Sequence, residues 1–515
     1  MSKQTLRVSA VAGLFAVSFS LATLIGARAA RAQGADAGAP PPAAEAPPAG
    51  PDAGAVPAPA ETGGGLFEQS QAAAAPAAVA TPDLGAIAAK AAFTLNGYAR
   101  GDVFAGKVLD QSAAEMKANY GELALQLRTA KSQYGDGFAD ARIRYGLMGD
   151  QQGTFVDLRE AYVNAYVGPF DLRLGKQIVV WGRADGLNPT NNITPVDFRI
   201  RSPLEDDIRL GNVGARAFLR LGIVRLEGVW MPTYLATELP PVGLPSPVVS
   251  FGAPTFPSAD VKNGLVGGRL HLELAAFDAS ISYLKGYAPL PGLTLSDVTF
   301  GPNAAVIISR TAYDQQVLGA DFSTALGDVL TLRGEIAYRR PYSYQDRPWV
   351  ARPDLQYVVG ADHNFGSLSV IAQYLGRYVF DWQKETGTNM DISTLPGILM
   401  DPNNENGYRD LVTDAVNAEL AQISQILFNQ TARVQHVATL RLEWLLAHET
   451  VSISALGLYN FTTQEWLVTP RIGWKVTDAM TAYVGAQVFM GPNDTLFGLI
   501  DQELSAGYAE LRYAF

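Results

Sequence analysis

The chain closes on "AELRYAF" (509–515). Glu510, Arg512 and Ala514 fall on one side of that stretch, and Leu511, Tyr513 and Phe515 on the other. Successive side chains of a strand point to opposite faces. The ending therefore reads as a β-strand with an oily face and a polar face. The ends of water-soluble domains usually fray, because nothing ties down their backbone groups. A strand held to its last aromatic residue needs a partner strand, in surroundings where unpaired groups are costly.

The same period of two runs through the chain from Phe93 onward. It defines eighteen segments, the first at 91–104, the fifth at 170–181 and the last at 506–515. Tight connections such as "GP" (168–169), "LGI" (221–223), "AFD" (276–278), "FGS" (365–367) and "AHE" (447–449) alternate with long ones at 182–211, 234–263, 287–312, 381–433 and 491–505. Two connections on the long side, 148–154 and 461–465, are modest. Short turns at one end and long loops at the other mark a transmembrane β-barrel. An open sheet edge would leave backbone groups unpaired in lipid, so the last strand must pair with the first. The expected fold is all-β: a transmembrane antiparallel up-and-down barrel of about 18 strands, with 16 the next count, behind a disordered N-terminal segment.

Composition agrees. No apolar run of helix-spanning length follows residue 30, and no cysteine is available for a disulfide or a thiolate site. Lys3 and Arg7 precede an apolar stretch over 8–25, and Ala30-Arg31-Ala32 supplies a small-x-small cleavage pattern. Residues 1–32 thus read as a signal peptide. They hold four basic residues and no acidic one, so their removal moves the formal charge from −11 to −15, which argues against a nucleic-acid partner. Residues 33–90, with "GAPPPAAEAPPAGPDAGAVPAPAETGGG", bury too little apolar surface to fold and read as a disordered, Pro/Ala-rich periplasmic linker. A short helix at 83–92 would sit at the inner mouth. The barrel occupies 91–515.

The polar face of the strands carries charges two residues apart: Arg225 and Glu227, His271 and Glu273, Arg333 and Glu335, Arg441 and Glu443, Glu510 and Arg512. Further inward candidates are Arg128, Arg142, Arg144, Arg173, Gln177, Arg216 and Arg220. An Arg or Lys at mid-bilayer on the lipid face would cost about 2–4 kcal/mol, so these belong in the lumen. Two readings stand side by side: opposite charges that neutralise one another across strands, and a basic ladder that draws anionic or hydroxylated solutes through. Lys176 departs from the pattern, falling on the lipid side with Leu174 unless a bulge at Gly175 re-aims it.

The most distinctive stretch is "LGKQIVVWGRADGLNPTNNITPVDF" (174–198). A strand ends at Trp181-Gly182, and a loop rich in Gly, Asn, Asp and Pro follows, carrying Arg183 and Asp185. Such a loop bonds to itself and can hold a compact shape; turned inward, it would narrow the channel. The order glycine, basic residue, Gln, three apolar residues, Trp-Gly and then Asn-Pro resembles an uncharacterised proteobacterial outer-membrane barrel family related to general porins. That resemblance implies an outer-membrane location and passage of a poorly defined cargo, hydrophobic molecules included, and it supplies no catalytic residues.

Val412, Val416, Leu420, Ile423 and Leu427 form one helical stripe within 410–428, read as a helix capping the barrel rim, with a lumen plug or a partner-binding helix as the alternatives. "DPNNEN" (401–406) faintly resembles a calcium loop but lacks its sixth-position glycine. The four histidines are His271, His363, His436 and His448, and only His271 reads as lumen-facing. No nucleophile elbow, zinc-protease or phosphate-loop motif is present. The expectation is therefore no enzyme, no cofactor and no metal. The expected function is passive diffusion of small polar or anionic solutes through an outer-membrane channel narrowed by the 182–211 loop. Its lining would be Arg142, Arg144, Arg173, Gln177, Trp181, Arg183, Asp185, Arg216, Arg220, Arg333 and Glu335. The alternatives are a facilitator for hydrophobic or lipid-like molecules and a structural or adhesive barrel with a filled lumen. Expected partners are outer-membrane lipid and small-molecule solutes, with a homotrimer and a cell-wall or periplasmic partner held by 33–90 as further candidates.

Overall fold

The computed structural model describes residues 93–107, 114–148, 151–239, 247–327, 330–390 and 392–515. The signal peptide, the linker and the 83–92 helix lie outside the described residues.

In chain order the strands are β1 (Phe93–Lys107), β2 (Ala114–Thr129), β3 (Gly135–Met148), β4 (Gln151–Val167), β5 (Phe170–Gln177), β6 (Asn212–Leu221) and β7 (Val224–Met231). Next come β8 (Val249–Phe251), β9 (Leu265–Glu273), β10 (Phe277–Tyr287), β11 (Gly292–Thr299), β12 (Ala305–Thr311), β13 (Asp314–Leu326) and β14 (Leu330–Pro341). The last are β15 (Asp354–Phe365), β16 (Leu368–Val379), β17 (Val434–Leu446), β18 (Val451–Asn460), β19 (Glu465–Lys475), β20 (Met480–Met490) and β21 (Ala506–Ala514). Strands β8, β11 and β12 form a separate three-stranded sheet; the other eighteen form one antiparallel sheet, closed where β1 pairs with β21.

The last residue completes that seam. The Phe515 N–H donates to the Gly97 carbonyl at 3.0 Å, and the Gly97 N–H donates back to the Phe515 carbonyl at 3.0 Å. A Cβ at Gly97 would lie 2.8 Å from Phe515 Cζ, so only glycine leaves room for the terminal ring. Leu511, Tyr513 and Phe515 are exposed outward and Glu510 is buried inward.

The same sorting runs round the wall. Leu95, Val103, Ile143, Val163, Leu174, Ile336, Val359, Leu440, Ile472 and Val484 are exposed, although each sits in a regular strand. Exposed apolar side chains on every strand are what a lipid solvent requires. Phe170, Phe365, Trp474 and Phe515 lie at the turn end of this band, and Tyr459, Phe461 and Trp466 at the loop end. Several turns need left-handed backbone: Gly168, Gly222, Gly327 and Gly366 have φ of 58°, 63°, 62° and 62°. Glycine adopts this region without a Cβ clash.

Four expectations need correction. The strand over 170–181 stops at Gln177, because the chain leaves the wall there and turns inward. The 148–154 connection is mostly strand, since β4 already starts at Gln151 and pairs with Met148. Two outer loops, expected as coil, build the β8–β11–β12 sheet. A helix over Leu496–Leu504, hidden inside the expected 491–505 loop, caps the mouth.

The helical stripe at 410–428 lies on a helix over Glu405–Leu427. Val412, Leu420, Ile423 and Leu427 are buried, in one apolar cluster with Leu293, Val306 and Phe497. That cluster also takes in Val358, Leu375, Val437, Leu458, Leu467 and Phe489, which alternate with the inward polar residues of β15 to β20. The outer cap therefore reaches into the barrel mouth.

Candidate functional site: the inward loop and the charged wall

Between β5 and β6 the chain makes a long excursion across the lumen. It starts extended at 178–182, with Val179 and Trp181 each only 1% exposed. Trp181 Nε1 donates to Glu227 Oε1 of β7 at 2.9 Å. Two residues on, Arg183 Nε donates to Asp321 Oδ1 of β13 at 2.6 Å. The backbone N–H groups of Arg183 and Ala184 both donate to Glu335 Oε1 of β14, the second at 2.5 Å. Thr190 Oγ1 donates to Glu335 Oε2 at 3.0 Å. Gly182, at φ 115°, makes this turn, and a Cβ there would lie 2.7 Å from the Glu335 carboxylate. Asp185 then meets Arg441 of β17 at 2.8 Å.

The loop returns on the opposite flank. A helical turn at Glu205–Ile208 carries Asp207 between two wall arginines: Arg100 of β1 at 2.7 Å and Arg142 of β3 at 2.6 Å. Ser202 Oγ donates to the same carboxylate at 2.6 Å. Burial alone would raise the Asp207 carboxyl, but the guanidiniums of Arg100 and Arg142 outweigh burial and hold it well below the usual carboxylate range. Asp206, 2.7 Å from Arg159, is likewise held down against its burial. Glu205, also bonded to Arg209, is pushed up, burial winning there.

Among the expected lining residues, Arg142, Arg144, Arg216, Arg333, Glu335, Gln177, Trp181 and Arg183 are all buried. Arg144 pairs with Glu122, Arg216 with Glu227 at 2.8 Å, and Arg333 with Asp362 at 2.9 Å. Gln177 donates to the Gly214 carbonyl at 3.1 Å. Arg173 donates to Asn164 at 2.9 Å and stacks over Tyr162. Arg220 lies apart from the loop, beside the turn end, 3.2 Å from Asp171. The charges set two residues apart find partners across strands: Arg225 pairs with Glu273 at 2.7 Å, and His271 with Glu227 at 3.0 Å. Glu510 and Arg512 keep the local pairing, at 2.8 Å. Adjacent strands bring opposite charges closer than one strand's own zigzag does.

Arg142, Arg144, Arg216 and Arg220 thus each have a carboxylate partner. Lys176 also has an acidic partner, Asp157, at 3.6 Å, and Gly175 before it adopts φ 133°. At 401–406 the Asp401 carboxylate accepts from the Asn403 N–H at 2.9 Å. Among the described residues no group of three or more His, Asp or Glu is placed to hold a metal ion.

Sequence reasoning missed Arg100, Asp207, Asp321 and Asp362. Arg100 and Asp321 do sit on the inward side of alternating strands, so that signal was present. Asp207 lies in an irregular loop, and no periodicity could mark it.

A family model described as "Protein of unknown function (DUF1302)" matches residues 80–492. The chain belongs to that family. No curated protein sequence matches this DUF1302 chain. Among solved structures it is similar to OccAB3 of Acinetobacter baumannii, at 11% identity and a TM-score of 0.46, covering 82% of this chain and 99% of that one. It is similar to OccK3 (OpdO) of Pseudomonas aeruginosa, at 12% identity and TM-score 0.47, covering 82% and 95%. A BenF-like porin from Pseudomonas fluorescens Pf-5 matches at 10% identity and TM-score 0.46, covering 82% and 98%.

Proposed function

We propose that this DUF1302 chain is a bacterial outer-membrane channel for small polar or anionic solutes, crossed and narrowed by the 182–211 loop. The observation that carries this reading is how the loop is held. Its grips on the wall at Arg183, Asp185 and Asp207 are ion pairs. Charged grips leave polar groups at the narrowing to which a passing polar solute can bond, whereas an apolar seal would not. The wall behind the loop is lined with further charges, as a wet passage requires.

The segment over 33–90 serves in this reading as a tether on the periplasmic side, reaching a cell-wall or periplasmic partner, and the barrels associate as homotrimers. The mechanism is diffusive: the loop selects by size, and the paired wall charges select by polarity.

One observation favours a second reading, a structural barrel with a filled lumen: the wall arginines are buried and the outer mouth carries an apolar cap. Planar-bilayer recording with the full-length purified protein separates the two. Stepwise ion current is the expected result for the channel; a silent bilayer at all voltages overturns it.

A further inference from the structure

The barrel wall is not of even height. The ladder of β4 with β5 stops at Ala161–Lys176, although β4 continues to Gln151. The next ladders are short too: β5 with β6 ends at Gln177–Asn212, β6 with β7 at Ala215–Trp230, and β7 with β9 at Met231–Leu265. These four strands have 8, 10, 8 and 9 residues, whereas β1 to β4 have 15, 16, 14 and 17. Seven or eight paired residues at ~3.3 Å each span about 25 Å along the strand. At a tilt of ~40° that is roughly 19 Å of height, short of the ~25 Å apolar band of such barrels. Over β5 to β9 the loop-end rim therefore dips into the depth of the lipid chains.

Behind this dip the lumen is apolar. Val229 and Met231 of β7, Leu284 of β10, Val317 of β13 and Ala337 of β14 face inward and pack on Val179, Trp181 and Ile193 of the loop. Outside, Val213, Trp230 and Val266 are exposed along the same low rim. Oily surface thus runs from the lipid face, over the rim, to the Trp181 cluster. Among the described residues, 178–182 lies across this path, with the returning limb at 206–211 beside it against Arg159 of β4. The wall ladders end at Gln177, and the segment beyond is held through side chains: Ile178 N–H to the Glu160 carboxylate of β4 at 2.9 Å, a two-way bond between Val179 and the Thr194 hydroxyl, and Trp181 Nε1 to Glu227 of β7 at 2.9 Å. Lysines flank the dip. Lys176 stands at its β4 side, and Lys285, exposed and outward on β10, pairs in register with Val266.

We propose that the dip over β5 to β9 is a lateral portal through which the hydrocarbon chain of an anionic amphiphile passes from the bilayer to the Val179–Trp181 cluster. Residues 178–182 are its gate, and Lys285 and Lys176 receive the charged head. The inference rests on lipid embedding of the barrel alone and is independent of ion conduction, so a silent bilayer leaves it intact.

The chain has no cysteine, so single-cysteine variants of the full-length protein report cleanly. Val179→Cys lies behind the portal; Ala124→Cys, equally buried, lies behind the tall wall of β2. Both are reconstituted in phosphatidylcholine vesicles and treated with N-dodecylmaleimide, which partitions into the bilayer, or with water-soluble N-ethylmaleimide. The expected result is at least tenfold faster dodecyl labelling of the Val179 variant, slowed more by added laurate than by dodecanol. In the Lys285→Gln background laurate loses that advantage. Equal dodecyl rates at both positions, or faster labelling of the Val179 variant from water, overturn the portal. Equal competition by laurate and dodecanol overturns the anionic head. If the Val179 variant does not fold, Ile193→Cys reads the same cluster.

Discussion

Asp207, carried inward by the loop after β5, lies 2.6 Å from Arg142 of β3 and 2.7 Å from Arg100 of β1. One carboxylate thus pins the returning limb of the loop to two strands. Breaking a buried ion pair from one side leaves the other charge uncompensated, at about 3–5 kcal/mol. Asp207→Asn should therefore free the returning limb. Single-channel recording should show a higher mean conductance and more frequent flicker than the wild type, with the barrel itself still folded.

The outgoing limb depends on Glu335, which accepts from the Arg183 and Ala184 N–H groups and the Thr190 hydroxyl. Glu335→Leu leaves those donors without a partner, at about 1–3 kcal/mol for each buried group. Protease cleavage within 183–190 should become measurable in the variant, while the wild type stays intact. Glu335→Gln keeps one acceptor oxygen and should fall between the two.

Acid should act on the same loop. The Asp207 carboxyl is held below its ordinary value, so its contribution to holding the loop is fully present above pH ~4, where an unfolded Asp ionises. It is lost as pH falls below that value through the depressed folded one. Conductance should stay level from pH 7 to about pH 4.5 and rise on further acidification. The Asp207→Asn variant should lack that rise.

Replacing Arg142, Arg144 and Arg173 together by Gln removes three positive charges and takes one guanidinium partner each from Asp140, Asp207 and Glu122. Reversal potentials in a salt gradient should move toward cation preference. An unchanged reversal potential would mean that these arginines act only as structural partners.

Closure depends on Gly97. A Cβ there would meet the Ala124 carbonyl at 2.3 Å and the Phe515 ring at 2.8 Å. Gly97→Val should lower the yield of folded barrel in refolding into detergent or lipid, read as the loss of the compact band on an unheated gel. Deletion of Phe515 should have the same direction of effect, because two backbone bonds and the ring contact go together.

Alternation of oily and polar residues was enough to read this chain as an eighteen-stranded barrel, to tell its lipid face from its lumen, and to separate the tight turns from the long loops. The reason is local: in lipid each strand must put its apolar side chains outward, and the period of two records that at every step. The helical stripe at 412–427 was legible for the same reason. Partnership was not. Arg183 meets Asp321 across 138 positions, and Asp207 meets Arg142 across 65, distances over which no periodicity carries information. The end of β5 at Gln177 was hidden as well, since Val179 and Trp181 keep the strand alternation while leaving the wall. Only tertiary structure decides that, because the free energy that draws 178–182 inward comes from Glu227, Thr194 and the apolar cluster, residues the local pattern does not see.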